Sequence, residues 1–450
     1  MIYDYEIAYP MSTILFYLKT KSLQIVCVFH NLNYDGKFLC KELAKHPKIK
    51  NLQILAKSAE KTKRFRFIDS FAHIPSSLEK IVSNLIAHGK DNFHALRAEF
   101  PDEKHFNLLW GKGKFPYEYL SNVNILDEPL PKHEAFFSTL NNKNISEEEY
   151  ELVKDIWETF QLRTLKDLLK LYVRQDVLLL ADCINFHRSM VRNNYDLECL
   201  AYYSAPALSM DAALKMNTMS IDLITDPGQY MFLEKSIRGG LSMASTHYAK
   251  ANNKYMSSHN PGEKSSYIFH IDVTNLYGWS LSQQLPCSNF KWEDISLDEL
   301  KKILESYNHS TSKKGYICEV SLTIPKSLHD FFDDNPPICD QLLITYDMLS
   351  PWAKNLLKGK RFTPEKKLSP SLYDKEGYVC HIKTLQLYIE LGIHITSVDK
   401  TLSFDQDSWL FNYIEFNSDK RANAKSKVER DFFKLIINSL FGKTLESVRR

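Results

Sequence analysis

Strand and helix patterns alternate over the first 190 residues, and this alternation limits the fold more than any other feature. Strand patterns cover residues 23–29 and 63–71, each followed by a helical pattern. The helix at 76–89 starts with Ser and stops with Gly, and the next helical pattern begins after Ser146. Residues 90–145 are rich in Pro, Asn and aromatic residues, which predicts irregular surface structure. The alternation is typical of an α/β domain.

The pattern changes after residue 190. Strands are predicted at 266–273, 315–324, 377–382 and 395–404, with a Pro-rich stretch and one helix between them. A single long helical pattern, from residue 418 onward, ends the sequence. This mixture predicts an α+β region, so the whole chain is expected to combine α/β and α+β domains.

Composition narrows the class of protein. The 450 residues are 44% hydrophobic with a net charge of +2, as in an ordinary globular protein without a global field for polyanions. The eight cysteines form no C-x-x-C pair, which argues against a zinc site and a disulfide framework and favours a reducing compartment. No apolar run approaches the roughly 20 residues that span a bilayer. We expect an intracellular protein without a membrane partner.

The predicted strand at 266–273 ends in a carboxylate. Its apolar residues Ile268, Phe269 and Ile271 are typical of a buried strand, Asp272 follows them, and Tyr277 comes five residues later. An Asp at a strand end is most often a turn former. The alternative is a Mg²⁺ ligand, because hard divalent cations prefer carboxylate oxygens on rigid elements. The pattern alone leaves both interpretations open.

The last helical pattern carries a basic stripe. Between Lys420 and Arg450 there are nine Lys or Arg residues and three acidic ones. Three of these cations share one helical face, which continues through an amide and an aromatic residue: Lys427, Arg430, Lys434, Asn438 and Phe441. Such a face suits a nucleoside triphosphate, but it is more often a solvated helix surface.

A third set of candidates lies in the first domain. Asn31 and Asp35 flank the end of the first strand, and Tyr172 and Asp176 lie one helical turn apart. Aspartates that hold metal ions and a tyrosine that orients water form a workable site for phosphodiester hydrolysis. The alternatives are a plain turn at Asp35, a core position for Tyr172 and a helix cap at Asp176.

Four of these segments resemble family B DNA polymerases, in the order of that family. "YIFHIDVTNLYGWSLSQQLP" is similar to polymerase motif A and "KLIINSLFGK" to motif B, whereas "HNLNYDG" and "YVRQD" resemble the second and third motifs of the proofreading exonuclease. "IRGG", at 237–240, resembles the Y-x-G-G of protein-primed members. The sequences of these segments are similar to those of the protein-primed polymerases of Polinton/Maverick-type transposons and related viruses.

The resemblance implies a role for each polymerase residue. Asp272 and the Val273 carbonyl would hold catalytic Mg²⁺ (Mn²⁺ being an alternative), and Tyr277 would select deoxyribose. Further roles concern nucleotide and DNA binding: Arg430 and Lys434 on the triphosphate, Asn438 and Phe441 at the nascent base pair, and Arg238, Gly239 and Gly240 on the DNA. The implied chemistry is two-metal attack of a primer 3′-hydroxyl, or a terminal-protein hydroxyl, on the dNTP α-phosphate.

For the exonuclease, the resemblance implies that Asp35 and Asp176 hold metal and that Tyr172 orients water. The frayed single strand would contact His30, Asn31 and Ser70. The family's first exonuclease motif, Asp-x-Glu, has no good match; Asp4 and Glu6 lie too close to Asn31 for the intervening strands.

Other positions depart from the family pattern. Gly278 replaces the usual motif A proline, and Ile237 and Phe441 replace tyrosines. No Tyr-x-Asp-Thr-Asp follows motif B before Arg450, so we expect a fragment that lacks the second polymerase aspartate.

Together these features predict four segments. Residues 1–190 would form an RNase H-like 3′–5′ exonuclease domain, 191–287 the start of the palm, 288–375 an insertion that contacts the priming protein, and 376–450 a palm and fingers segment. The predicted function is a protein-primed DNA-directed DNA polymerase of a mobile element or virus, which binds primer-template DNA and dNTPs in the nucleus. The alternative is an inactive nucleic-acid-binding remnant of such an enzyme.

Overall fold

The computed structural model describes residues 25–32 and 65–447. The chain divides into two compact units. One comprises residues up to Met216 together with the segment from Glu415, and the other is Asn217–Ile414. The predicted boundaries at 190, 287 and 375 do not coincide with this division, and the assignment of functions to the four segments stays a prediction.

Helices dominate the first unit. Two parallel strands, β1 (Ile25–Phe29) and β2 (Phe65–Asp69), pair in register from Ile25 with Phe65 to Phe29 with Asp69. The helices of this unit that lie before residue 217 are α1 (Leu78–Ala87), α2 (His94–Glu99), α3 (Glu103–Leu109), α4 (Glu147–Thr159), α5 (Leu165–Tyr195) and α6 (Ala205–Met216). Capping boxes at Ser146 and Thr164 start α4 and α5, as their Ser/Thr-x-x-acid patterns dictate.

The core of the first unit corrects the prediction of irregular surface at 90–145. Phe93, Leu96, Phe106 and Leu109 are fully buried and pack with residues of α1, α4 and α5. The prediction of surface structure was wrong because the Pro and Asn residues of this segment favour short helices and turns without deciding its burial. Its aromatic residues are buried against the apolar face of the long helix α5.

The second unit is built on a four-stranded antiparallel sheet. Its strands are β3 (Leu285–Glu293), β4 (Lys314–Thr323), β7 (Lys375–His381) and β8 (His394–Asp407), in the order β3-β8-β4-β7. A separate hairpin joins β5 (Cys339–Ile344) to β6 (Glu365–Pro370). The helices are α7 (Pro227–Ser236), α8 (Leu276–Leu281), α9 (Leu297–Ser306), α10 (His329–Phe332), α11 (Pro351–Leu356) and α12 (Ile382–Glu390).

The predicted strand at 266–273 does not form. In this segment only Ser266 makes a bridge, to Asn252, and Phe269 and Ile271 are 79% and 84% exposed. An apolar strand is stable only when neighbouring strands satisfy its backbone groups and cover its side chains. Within the described residues nothing pairs with this run. The sequence pattern is that of a strand, but the interpretation of these residues as buried is wrong.

The C-terminal helical pattern is also divided. Helix α13 (Phe411–Ala422) and helix α14 (Lys427–Thr444) are separated by a break, after which Ser426 caps α14 by accepting from the Glu429 amide at 3.1 Å. Ser is a preferred N-cap residue, and its hydrogen bond starts a new helix there.

The mixed α/β and α+β multidomain class is confirmed. The seven cysteines that the structure describes are all free, in agreement with the absence of a disulfide framework. No helix in the described part of the chain is both long and apolar enough to cross a bilayer.

Candidate active sites

The carboxyl ends of β1 and β2 bring three of the predicted exonuclease residues together. His30 Nδ1 and Ser70 Oγ lie 2.9 Å apart, directly after the last paired residues of the two strands. Asn31 follows with a left-handed φ of 64°. Burial lowers the pKa of His30, which favours the neutral ring.

Asp69 holds this strand end in place. Its carboxylate accepts hydrogen bonds from the backbone amides of Asn31, Leu32 and Phe71, at 2.9, 3.0 and 3.0 Å. Three backbone donors on one carboxylate link the turn after β1 to the turn after β2. Asp69 is not among the residues predicted from the sequence, although its position at the end of the strand "FRFID" was the signal. Asp35 lies outside the described residues.

A half-buried ion pair forms the centre of the predicted third exonuclease motif. Lys112 Nζ lies 2.7 Å from Asp176 Oδ2, donates a hydrogen bond to Tyr172 Oη, and stands over the Tyr172 ring at 4.0 Å from its centroid. Tyr172 and Asp176 share one face of α5, which runs through both positions without a break. Asp176 is therefore not a helix cap, and Tyr172 contacts both the core and the ion pair.

Burial and charge oppose each other in this cluster. Removal from water raises the pKa of Asp176 and lowers that of Lys112, while their mutual attraction counteracts both shifts. Burial, reinforced by the Asp176 charge, raises the pKa of Tyr172, so this phenol stays protonated. Tyr117 packs edge-on against Tyr172, with their ring centroids 5.8 Å apart. The arrangement provides a neutral phenol next to a carboxylate whose charge Lys112 supports.

Gln175 fixes the loop that supplies Lys112. Its side-chain amide is buried and donates to the carbonyls of Leu109 and Gly111, both at 2.8 Å. Gly113 packs so closely on this amide that a Cβ there would lie 2.4 Å from Gln175 Oε1. The contact explains the small residue in "WGKGKF", since a side chain at position 113 would displace the amide.

One carboxylate oxygen of the cluster has room for a further ligand. Asp176 Oδ1 is buried and has no hydrogen-bond partner in the described part of the chain. An unsatisfied carboxylate oxygen in a low-dielectric site suits a hard cation such as Mg²⁺. Among the described residues, no group of three or more His, Cys, Asp or Glu is placed to hold a metal ion. Asp176 thus fits the role of a single ligand.

The motif A residues lie in the second unit, on exposed backbone. Asp272 is exposed, Val273 is 60% exposed and Tyr277 is 46% exposed. The Asp272 carboxylate and the Val273 carbonyl are thus accessible to a ligand. Tyr277 occupies the first turn of α8.

The presence of glycine at position 278 has a local structural explanation. Asn275 precedes α8 with a left-handed φ of 57°, and its side chain folds back over Gly278. A Cβ at position 278 would lie 2.4 Å from Asn275 Nδ2 and 2.8 Å from Cγ. The glycine that replaces the family's proline thus leaves room for the Asn275 side chain.

The "IRGG" segment combines an anchor with open backbone. Arg238 donates to the Val379 carbonyl of β7 at 2.6 Å and lies 3.9 Å from the centroid of the Tyr378 ring. Gly239 and Gly240 are exposed, and a Cβ at either would meet no atom within 4 Å in the described structure. Gly240 has a φ of 83°, which disfavours other residues. Arg238 holds the segment while the two glycines leave space for a close backbone approach.

Helix α14 presents the predicted basic face. Lys427, Arg430 and Lys434 are exposed, Asn438 and Phe441 are half-buried, and the opposite face packs into the first unit through Phe432, Phe433, Ile436, Ile437 and Leu440. Ser209 of α6 donates to the Ile436 carbonyl at 2.7 Å and fixes this packing. The two predicted halves of the polymerase site, motif A and motif B, belong to different units.

Comparison with known proteins gives a family and several structural neighbours. The family described as "DNA polymerase type B, organellar and viral" matches residues 17–444. The phi29 DNA polymerase complexed with primer-template DNA and incoming nucleotide substrates has 13% identity and a TM-score of 0.47, over 96% of this chain and 61% of that one. An orthorhombic crystal form of the phi29 enzyme has 14% identity and a TM-score of 0.46, over 97% and 62%.

The present chain spans about three-fifths of the length of these phi29 polymerases. No curated protein matches it.

Proposed function

The chain belongs to the organellar and viral type B DNA polymerases, and from this premise we propose that it is a protein-primed DNA-directed DNA polymerase with a 3′–5′ exonuclease domain. The observation that carries the proposal is the extent of the family match, residues 17–444, a range that spans the segments around Asn31, Asp176, Asp272 and Lys434 in which the motifs are predicted. The enzyme would replicate a mobile element or a virus, and its nuclear location stays a prediction.

The exonuclease proposal is supported by the ion pair at Asp176. When bound, Mg²⁺ supplies Lewis-acid stabilisation of the charge on the attacking and leaving oxygens. Asp176 Oδ1 and Asp35 would hold the ion. Tyr172, kept protonated by burial, orients the attacking water through its hydroxyl. Lys112 holds the Asp176 carboxylate and adds positive charge where the phosphodiester is cleaved.

Single-strand contacts would come from the strand-end residues. His30 and Ser70 lie side by side at 2.9 Å, and Asn31 extends the same edge. A neutral imidazole, a hydroxyl and an amide provide donors and acceptors for the sugar and bases of a frayed 3′ end. In this proposal they position the terminal nucleotide, and the Asp176 cluster cleaves it.

Asp176→Ala tests the exonuclease assignment. We expect loss of 3′–5′ degradation of a labelled single-stranded oligonucleotide in Mg²⁺, while circular dichroism and DNA binding stay unchanged. Asp155→Ala, on an exposed position of α4, is the matched control and should leave degradation intact. Equal degradation by Asp176→Ala and the control would refute the assignment.

The polymerase proposal rests on motif A and motif B. Asp272 and the Val273 carbonyl, both accessible, would hold the ion. The exposed Arg430 and Lys434 offset the charge of the dNTP triphosphate, and Asn438 and Phe441 line the base pair. Tyr277 packs beneath the sugar and excludes a 2′-hydroxyl. Primer-template DNA would pass the open backbone of Gly239 and Gly240, next to the anchor Arg238, and the insertion 288–375 would contact the priming protein.

Metal-dependent nucleotide incorporation separates this function from that of an inactive nucleic-acid-binding remnant. A primed template, labelled dNTPs and Mg²⁺ or Mn²⁺ should give extension by a polymerase in which this chain is joined to the second motif aspartate that the family pattern predicts, and Asp272→Asn should abolish this extension with DNA binding retained. DNA binding without incorporation by the enzyme would favour the remnant.

A further inference from the structure

The hairpin arm, defined as residues 339–370, stands apart from the cores that the structure describes. Strands β5 and β6 pair from Cys339 with Pro370 to Ile344 with Glu365, and α11 lies in the connection between them. No residue of the arm is buried, although Ile338 just before it is fully so. An isolated two-stranded ribbon is marginally stable, so this arm is expected to gain order from a partner.

Large apolar side chains are exposed on the arm. Trp352 is 71% exposed and Leu356 is 56% exposed, and Tyr346 and Met348 are each nearly half exposed. Exposed tryptophan is uncommon without a binding role, because its large ring is costly to leave in water. The indole offers a flat surface on which a base can stack.

The same arm is strongly basic. Residues 354–367 contain six cations (Lys354, Lys358, Lys360, Arg361, Lys366 and Lys367) and one acid, Glu365. Within the described structure the only ion pair among them joins Lys367 to Glu365 at 3.5 Å. Lys358 and Gly359 adopt left-handed φ values of 45° and 78°, and this turn is followed by the exposed Lys360 and Arg361.

Cations alternating with exposed aromatic residues are the surface that single-stranded nucleic acid binds, since phosphates contact the cations and bases stack on the rings. We propose that the hairpin arm binds single-stranded DNA, with Lys358, Lys360 and Arg361 on the phosphates and Trp352 stacked on a base. The arm is one part of the insertion 288–375, and this proposal assigns it to DNA while the rest of the insertion stays available to the priming protein. The arm contains none of the motif residues, and the proposal draws on the proposed function for the choice of DNA as the polyanion.

The test measures binding without catalysis. Fluorescence anisotropy of a labelled oligothymidylate, in EDTA and over a series of salt concentrations, compares the wild-type chain with the triple variant Lys358→Gln/Lys360→Gln/Arg361→Gln. Lys301→Gln/Lys302→Gln/Lys326→Gln is the matched control. These three lysines are exposed in the same unit, and their substitution removes the same three positive charges. Thermal unfolding checks that each variant is folded.

We expect the arm variant to bind about tenfold more weakly and its log–log salt slope to fall by about 2, because each phosphate contact on a single strand contributes about 0.7. Trp352→Ala should weaken binding to the oligothymidylate by about tenfold through lost stacking, with a smaller effect on a duplex of the same length. The control variant should match the wild type.

Three results would overturn the proposal. One is an arm variant that binds the oligothymidylate as the control does. Another is a loss of affinity confined to the duplex. The third is unchanged DNA binding with lost binding to a priming protein, which would make the arm a protein-docking surface. Each of these results overturns the arm proposal alone. If the wild-type chain bound no DNA at all, the proposed polymerase function would fail as well, and the two failures are therefore distinguishable.

Discussion

A single methyl group at Gly113 should disturb the exonuclease cluster from outside it. An alanine Cβ there would lie 2.4 Å from Gln175 Oε1 and 3.2 Å from Tyr172 Cδ2. No real Cβ tolerates the first distance, so the buried Gln175 amide must move. Gly111, two residues earlier, is the matched position, because a Cβ there would meet nothing within 4 Å in the described structure.

The cost follows from the two hydrogen bonds that Gln175 makes, to the carbonyls of Leu109 and Gly111. Each contributes about 1 kcal/mol net, and a buried carbonyl left unpaired adds about 1–3 kcal/mol. Replacing glycine by alanine returns about 0.4–1 kcal/mol by restricting the unfolded chain. Gly113→Ala should therefore lower the free energy of unfolding by at least about 2 kcal/mol, whereas Gly111→Ala should be neutral or slightly stabilising.

Thermal unfolding and exonuclease assays together measure this effect. A loss of about 2 kcal/mol lowers the Tm by about 4–8 °C for a unit of this size. Since the same loop carries Lys112, degradation of single-stranded DNA should also slow in Gly113→Ala below the unfolding temperature. If Gly113→Ala were as stable and as active as Gly111→Ala, the assigned role of Gln175 in holding the loop would be wrong.

Two further predictions concern sugar choice and acid stability. Tyr277→Val should raise the ratio of ribonucleotide to deoxyribonucleotide incorporation, measured with competing substrates, and an unchanged ratio would place the sugar gate elsewhere. His187 is buried, and burial lowers its pKa to about 3 from an unfolded value of 6.5. The unfolded chain thus binds the proton first, so stability is full above pH 6.5 and falls by about 1.4 kcal/mol per unit towards pH 3. In urea unfolding, His187→Gln should lack this pH dependence of the free energy of unfolding, which amounts to about 2 kcal/mol between pH 6.5 and 5. Parallel curves of unfolding free energy against pH for variant and wild type would contradict the prediction.

Local patterns in the sequence were sufficient for several of the regular elements. The capping box at Ser146 starts α4 as predicted, and the Thr164 box that starts α5 has the same local signature, because a cap depends on four neighbouring residues. The i, i+4 spacing of Tyr172 and Asp176 and the basic face of α14 follow from helical geometry alone. In each case the deciding interactions span one or two turns of chain.

The partners of these residues could not be read in the same way. Lys112 reaches Asp176 across 64 positions, and Asp69 accepts from amides 37 and 38 positions away. Neither contact leaves a periodic signal, since each depends on how a loop or strand end packs against a distant element. The burial of Phe93 and Phe106 was missed for the same reason. The composition of residues 90–145 predicts an irregular backbone, but it does not indicate which elements pack against that backbone.

The two candidate sites differ in how completely their surroundings are built. At Asp176, a buried core, a fixed loop and an ion pair determine where each side chain points, so single substitutions have calculable costs. At Asp272, the apolar run that precedes the carboxylate has a strand sequence but no pairing strand in the described part of the chain. A catalytic carboxylate needs a rigid support to hold a cation in a defined geometry. The order of Asp272 therefore depends on what pairs with residues 267–273, and hydrogen exchange of these amides, fast when unpaired and slow once paired, reports whether that support has formed.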